Sequence, residues 1–325
     1  MHSRWKHFLD ILDMPKSQSW ALVKRAKEMK DTDHRSQILA GKVLVMIFEK
    51  ASTRTRLSFE MAVRHLGGDT IFMTPNESQL GRSEPLKDTA RVISRYCAGM
   101  IVRTFGQEKL EDLAEHASIP VVNALSDLHH PCQVLSDLLT MYERTPSFKD
   151  LKVAWIGDGN NMANSWINAA VYFPFYLALA VPQGFEPDTR ILGKALKLGA
   201  RIHISHDPKL AVDGAHYVNT DVWASMGQES EQEARAKKFA AFQVNDDLLA
   251  LADPSVKVMH CLPAHRGEEI TDEVMEGPAS IVWDQAENRL HMQKAVLEWV
   301  YGHAPEATGR EFADDRPGPL PIHTI

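Results

Sequence analysis

Short apolar runs recur along the 325 residues, and nearly every one is followed by a stretch with helical spacing. "KVLVMIF" (42–48), "DTIFM" (69–73), "GMIVRTF" (99–105) and "PVVNAL" (120–125) are short and mostly apolar, as buried parallel strands are. Between them, "LKDTARVISRYC" and "QEKLEDLAEHA" read as helices. "RLSFEMAVRHLGG" does too, with Leu57, Met61 and Leu66 near one face and Gly67 and Gly68 as its stop. Upstream, "KSQSWALVKRAKEMK" (16–30) sets Trp20, Val23, Ala26 and Lys27 at helical spacing. "HPCQVLSDLLTMYER" has Pro131 at a first helical position and Val134, Leu135, Leu138, Leu139 and Tyr142 on one face. Such alternation predicts βα units on a parallel sheet.

The rhythm pauses at "TPSFKD" (145–150), which reads as a linker. It restarts at "LKVAWIG" (151–157) and continues through "ARIHIS" (200–205), "AHYVNT" (215–220), "VKVMHC" (256–261) and "SIVWD" (280–284), each expected to be a strand. A last helix is expected over about 286–301, stopped by Gly302, before a proline-rich tail. The expected fold class is α/β, with two parallel-sheet sandwich domains of similar size, in line with a length of roughly two domains.

Three cysteines, Cys97, Cys132 and Cys261, form no C-x-x-C pair, which suits a reducing cytoplasm rather than a disulfide framework. The N-terminal "MHSRWKHFLDILDM" scatters charge among its apolar residues, unlike a signal peptide, and no run approaches 18 apolar residues. A cytoplasmic chain is expected. The net charge of −7 argues against nucleic acid or a membrane surface as partner, but leaves room for a local basic pocket holding a small anion.

In parallel α/β sheets, ligands sit beyond the carboxyl ends of strands, where helix N-termini present free N–H groups. "STRTR" (52–56) lies at such a place. Capping explains one of its hydroxyls and one of its arginines, not three and two; the surplus predicts an anion site. Arg54 is expected to face the anion. Arg56, roughly 200° further round the helix, is expected to pair with Glu60. Other polar clusters also end strands: Arg103; "HHPCQ" with His129, His130 and Gln133; "HCLPAHRG" with His260 and Cys261; and "NTDVWASMG" with Asp221, Ser225 and Met226, suited to an amino acid's charged ends. Each has a plainer reading as a cap, a turn or a buried thiol. Together they put a phosphate-type site and an amino-acid-type site on separate domains.

Three rival readings fare worse. "GDGNNM" carries Met162 where a dinucleotide fingerprint needs a small residue, and no acid follows about 20 residues on. A zinc site from His130, Cys132, His260 and Cys261 would need two adjacent strand residues, which point to opposite faces, to meet one ion. A binding protein without turnover would need no phosphate site.

"STRTR", "HPCQ", "DVWASMG" and "HCLPAHRG", in order with "SQLGRSEPLKDTARV" and "GDGNNMANSW", resemble the aspartate/ornithine carbamoyltransferase family from about residue 5 to 302. Aspartate-specific members share the first two motifs but not "DVWASMG", so the resemblance implies ornithine. It implies transfer of the carbamoyl group of carbamoyl phosphate to the δ-amine of L-ornithine, giving L-citrulline and phosphate in arginine metabolism, without metal or organic cofactor. Domain bounds of 1–147 (carbamoyl phosphate) and 148–285 (ornithine) are implied, with the helix at about 286–302 returning to the first domain and a tail over 303–325. Ser52, Thr53, Arg54 and Thr55 would hold the phosphate. Arg103, His130, Pro131, Cys132 and Gln133 would meet the carbamoyl end. Arg289 would complete the anion pocket, and Gln79 would enter a neighbouring subunit's site in a homotrimer. Asn164, Asp221, Ser225 and Met226 would hold ornithine's α-groups, and Cys261 and Leu262 would lie where amine meets carbamoyl carbon. Arg103, His130, Cys261 and Thr55 would carry catalysis.

Overall fold

The computed structural model describes residues 6–74, 84–224 and 232–303. Gln79, Ser225, Met226 and the tail beyond His303 lie outside the described residues.

The apolar runs form two all-parallel sheets. In the first half, α1 (Lys16–Asp31) precedes β1 (Val43–Phe48), α2 (Thr53–His65), β2 (Asp69–Met73), α3 (Leu86–Tyr96), β3 (Gly99–Arg103), α4 (Gln107–His116), β4 (Val121–Leu125) and α5 (Pro131–Tyr142). These strands lie in the order β2-β1-β3-β4. The second half runs β5 (Lys152–Ile156), α6 (Asn161–Tyr172), β6 (Tyr176–Ala180), α7 (Thr189–Lys197), β7 (Ile202–Ser205), α8 (Pro208–Val212) and β8 (Tyr217–Thr220). It ends with α9 (Gln232–Phe239), α10 (Asp246–Leu249), β9 (Lys257–His260) and α11 (Asp272–Glu276), in the strand order β7-β6-β5-β8-β9. The last helix, α12 (Val282–Val300), packs on α1, α2 and α5, so the chain returns to the first sheet's layer. Side chains bind it there: Trp299 Nε1 donates to Gln18 Oε1 (2.7 Å) and Lys30 Nζ to Asn288 Oδ1 (2.8 Å).

This winding fixes where a ligand can sit. In the first sheet the chain steps outward from β1 to β2 and then crosses to β3 on β1's other side. In the second it steps from β5 out to β7 before crossing to β8. Each reversal opens a crevice beyond two carboxyl ends. The register brings Phe48 opposite Arg103 at the first crevice and Ile156 opposite Thr220 at the second.

The halves share a core. Residues 131–141 of α5 are buried on every side, with α12 against them. The stretch 145–150 is no slack tether, because Phe148 is fully buried with its ring 4.9 Å from that of Trp20. Burying such a side chain stabilises by about 1.5–3 kcal/mol.

Two expectations fail. Along α2 and its C-cap the buried stripe runs Thr55, Phe59, Ala62 or Val63, and Leu66, steps of three or four residues. Leu57 and Met61 face out, 56% and 40% exposed. "SIVWD" is not a strand. Ser280 makes one bridge to Val258, Ile281 caps the helix, and α12 starts at Val282, with Asp284 favourably placed in its first turn. Among the described residues, no helix is long and apolar enough to cross a membrane.

Candidate active site

α2 starts at the first crevice. Ser52 is its N-cap, accepting from the Thr55 amide (3.2 Å), so the motif does cap. Yet the cap uses one hydroxyl only. Thr55, fully buried, accepts at Oγ1 from Arg289 Nη2 (2.8 Å), reaching in from α12, and from Arg103 Nη1 (3.4 Å) at the end of β3. Arg54 stands close enough for its charge to weigh on both. Burial, then repulsion from Arg289, pushes the Arg103 guanidinium down to about 10; burial likewise lowers Arg289. Three like charges held together in a low dielectric call for a counter-anion. Arg56 points elsewhere: its guanidinium lies 3.8 Å from the Phe72 ring centroid and its Nε 3.8 Å from Glu60.

His130 is the N-cap residue of α5, its backbone N–H donating to Ser165 Oγ (2.8 Å) on α6. Burial, reinforced by Arg289 and Arg103, holds its imidazole well below the usual histidine range, so it is neutral. Pro131 occupies the first helical position. Cys132 is fully buried, its thiol donating to Asn123 O (3.5 Å) and pushed up to about 12 by burial. It is a packing group of the wall. Gln133 donates from Nε2 to Asp137 (2.9 Å), while its buried Oε1 has no partner.

The second crevice supplies Asp221, just past β8. Its Oδ1 accepts from the Val222 amide (2.8 Å) and the Cys261 thiol (2.9 Å), and its Oδ2 from Asn160 Nδ2 (3.1 Å). Burial and then Asp221 raise Cys261 well above the ordinary thiol value, so the sulfur keeps its proton. Asp221 and Cys261 also act electrostatically on Arg103, which places the two crevices against one another. Asn164 is partly committed to the fold. It donates to Leu128 O (3.2 Å) and accepts from the Asp188 amide (3.1 Å), tying the His130 loop to α7.

The "HCLP" turn is set by His260. Its Nδ1 accepts from the Leu262 amide (2.8 Å), which leaves Nε2–H to donate to Glu269 Oε1 (3.0 Å). Asp221, His260 and Cys261 offer ligand atoms within 4.8 Å of one another, but both imidazole nitrogens already serve the turn. The glycine-rich turn after β5 is likewise spent on the fold. A side chain at Gly159 would overlap the backbone of residues 185–187, so the chain itself fills the approach a dinucleotide would need.

Sequence reasoning missed four contributors: Asp137, Asn160, Asn219 and Gln285. Asp137 alone left a trace, as the one charged residue of its helix, one turn after Gln133.

The geometry agrees with what the chain is similar to. Residues 6–143 match the family profile "Aspartate/ornithine carbamoyltransferase, carbamoyl-P binding domain", and residues 149–300 match "Aspartate/ornithine carbamoyltransferase, Asp/Orn binding domain". The ornithine carbamoyltransferase of Nitratidesulfovibrio vulgaris strain Hildenborough is 68% identical over 296 residues, 91% of this chain and 99% of the relative. That of Pelobacter propionicus is 52% identical over 301 residues, covering 91% and 99%. Among solved structures, the ornithine carbamoyltransferase of Pyrococcus furiosus superposes with a TM-score of 0.87 at 46% identity, covering 91% of this chain and 97% of its own. The Thermus thermophilus enzyme does so at 0.84 and 43%, covering 91% and 99%.

Proposed function

Because the chain belongs to the aspartate/ornithine carbamoyltransferase family, we propose that its two crevices form one active site, with carbamoyl phosphate in the first and L-ornithine in the second. The protein is a carbamoyltransferase acting on ornithine. The observation that carries the site reading is the convergence of Arg103 and Arg289 on Thr55 at the start of α2, with the charge of Arg54 near both and Asp221 and Cys261 facing them.

In this reading, residues 1–147 with the last helix bind carbamoyl phosphate and 148–285 bind ornithine. Ser52, Thr53, Arg54 and Thr55 hold the phosphate with Arg289. Arg103 and the neutral His130 donate to the carbamoyl oxygen. Ornithine enters as an ammonium, since alkylamines titrate near 10.4, and must shed a proton. The free amine then attacks the carbamoyl carbon. Negative charge gathers on oxygen against Arg103, His130 and Thr55, where it is stabilised electrostatically. The C–O bond to phosphate breaks, and the amine's second proton leaves with phosphate as HPO₄²⁻. Cys261, held as a thiol, is a poor base, so the phosphate is the better acceptor. Holding both reactants side by side supplies the rest of the rate. Asp221 takes ornithine's α-amino group, and Ser225 and Met226 are assigned to ornithine's α-groups with it. Asn164 joins with the second N–H of its amide, the first being held by Leu128 O.

A cytoplasmic homotrimer working in arginine biosynthesis completes the reading. Exposed apolar side chains near the edge strand β2 (Leu57 and Met61 on α2, Ile71 on β2 itself, Val92 and Tyr96 on α3) support association, with Tyr96 81% exposed.

A pair of variants tests the division of labour. Arg54→Ala should raise the KM for carbamoyl phosphate, and Asp221→Ala that for ornithine, with each leaving the other constant nearly unchanged. Exchanged or equal effects would overturn the assignment.

A further inference from the structure

Asp137 is an acid with no access to solvent at all, in the middle of α5. Three side-chain amides surround it. Oδ1 accepts from Gln133 Nε2 (2.9 Å) on its own helix and from Gln285 Nε2 (2.7 Å) on α12, and Oδ2 from Asn219 Nδ2 (3.3 Å) on β8. Gln285 in turn accepts at Oε1 from the His260 amide (2.9 Å). The carboxylate therefore sits at the junction of the first sheet's layer, the second sheet and the last helix, directly behind the carbamoyl-binding turn.

An amide side chain can turn either end to a partner, and only the partner's chemistry decides between them. An ionised carboxylate accepts and never donates. It therefore fixes both glutamines with their NH₂ ends inward and their oxygens outward. Gln285 spends its oxygen on His260. Gln133 does not: its Oε1 is buried and without a partner, a costly state for a polar atom unless a ligand satisfies it.

We propose that Asp137 is a positioning residue for carbamoyl recognition: by holding Gln133 at Nε2 it leaves Oε1 as an acceptor for the substrate's –NH₂ group. Without that lock, the amide turns freely and presents –NH₂ to –NH₂ in part of the population. Asp137 thus helps the site distinguish a carbamoyl group from an acyl group, whose methyl has no hydrogen to give. The inference rests on carbamoyl phosphate occupying the arginine-lined crevice. Asp137 itself touches no substrate.

The test compares two ligands of the same crevice by calorimetry, carbamoyl phosphate and inorganic phosphate, on the wild-type protein and on Asp137→Asn. The asparagine keeps the volume and removes the acceptor-only rule. Carbamoyl phosphate should bind about tenfold more weakly to the variant, the effect of one lost hydrogen bond, while phosphate stays within about twofold. Parallel weakening of both ligands would reduce Asp137 to a support of the fold, and unchanged affinities would make its carboxylate dispensable; either overturns the proposal. Wild-type protein that binds neither ligand would instead remove the reading on which it rests. A structure of the wild type with carbamoyl phosphate gives a check that no variant's folding can disturb. Gln133 Oε1 should lie within hydrogen-bond reach of the carbamoyl nitrogen with Nε2 still on Asp137, and Nε2 on the carbamoyl oxygen would contradict the lock.

Discussion

Thr55 and Arg289 stand 234 positions apart in the chain and 2.8 Å apart in space, joined by a hydrogen bond from the guanidinium to the threonine hydroxyl. The bond ties the N-terminal end of α2 to α12. It brings the last helix to the proposed site as well as into the core. Thr55→Val, close in volume but without the hydroxyl, should weaken carbamoyl phosphate binding about tenfold, as expected for one hydrogen bond to a charged partner. Calorimetry checks this, and wild-type affinity in the variant would mean that Arg289 needs no aim from Thr55.

Acid stability should depend on His291. Burial, followed by repulsion from Lys294, holds this imidazole down to about 4, against 6.5 for a free one. Between those values the unfolded chain takes up a proton that the folded protein refuses, so stability is lost as pH falls from about 6.5 towards about 4. His291→Gln should therefore lose less Tm than wild type between neutral pH and about pH 5, by a few degrees. Parallel thermal-melting profiles for the two proteins would show that His291 titrates normally.

The site thiols should be inert at mildly alkaline pH. Cys132 is pushed up to about 12 by burial, and Cys261 is raised well above its usual value by burial and Asp221. The reactive thiolate is thus scarce in both. Iodoacetamide at about pH 8, read by mass spectrometry, should leave both unmodified on the native protein and label both once it is denatured. Prompt labelling of native Cys261 would restore it as a candidate base.

Association is expected to bury exposed apolar residues near the edge strand β2, among them Leu57, Met61, Ile71 and Tyr96. Sedimentation should give three times the 36.5 kDa chain mass for wild type, and a smaller species with reduced activity for Leu57→Glu. A fully active monomer would remove the shared-site reading.

What could be read from the sequence was local. "KVLVMIF" followed by "STRTR" declared a strand, a cap and surplus cationic groups within fifteen residues, and the structure has all three. Arg103 at a strand end was legible for the same reason. Leu57 and Met61 misled because periodicity detects an apolar face without saying what covers it. "SIVWD" misled because β-branched residues favour strands, whereas its neighbour β9 offers a single bridge there. Asp137 left a trace as a lone acid in its helix, but its setting was out of reach: its partners Asn219 and Gln285 lie 82 and 148 positions away, and only the packed halves bring them together.

In the proposed reaction one crevice presents carbamoyl phosphate to ornithine's δ-amine in the other. A colorimetric ureido-product assay of the purified protein, with carbamoyl phosphate and ornithine, aspartate, putrescine or N-acetylornithine in turn, tests it most directly. Ornithine should give citrulline with a kcat/KM far above the other three. A higher value for any of the others would leave the fold standing and contradict the pairing of Asp221 with ornithine.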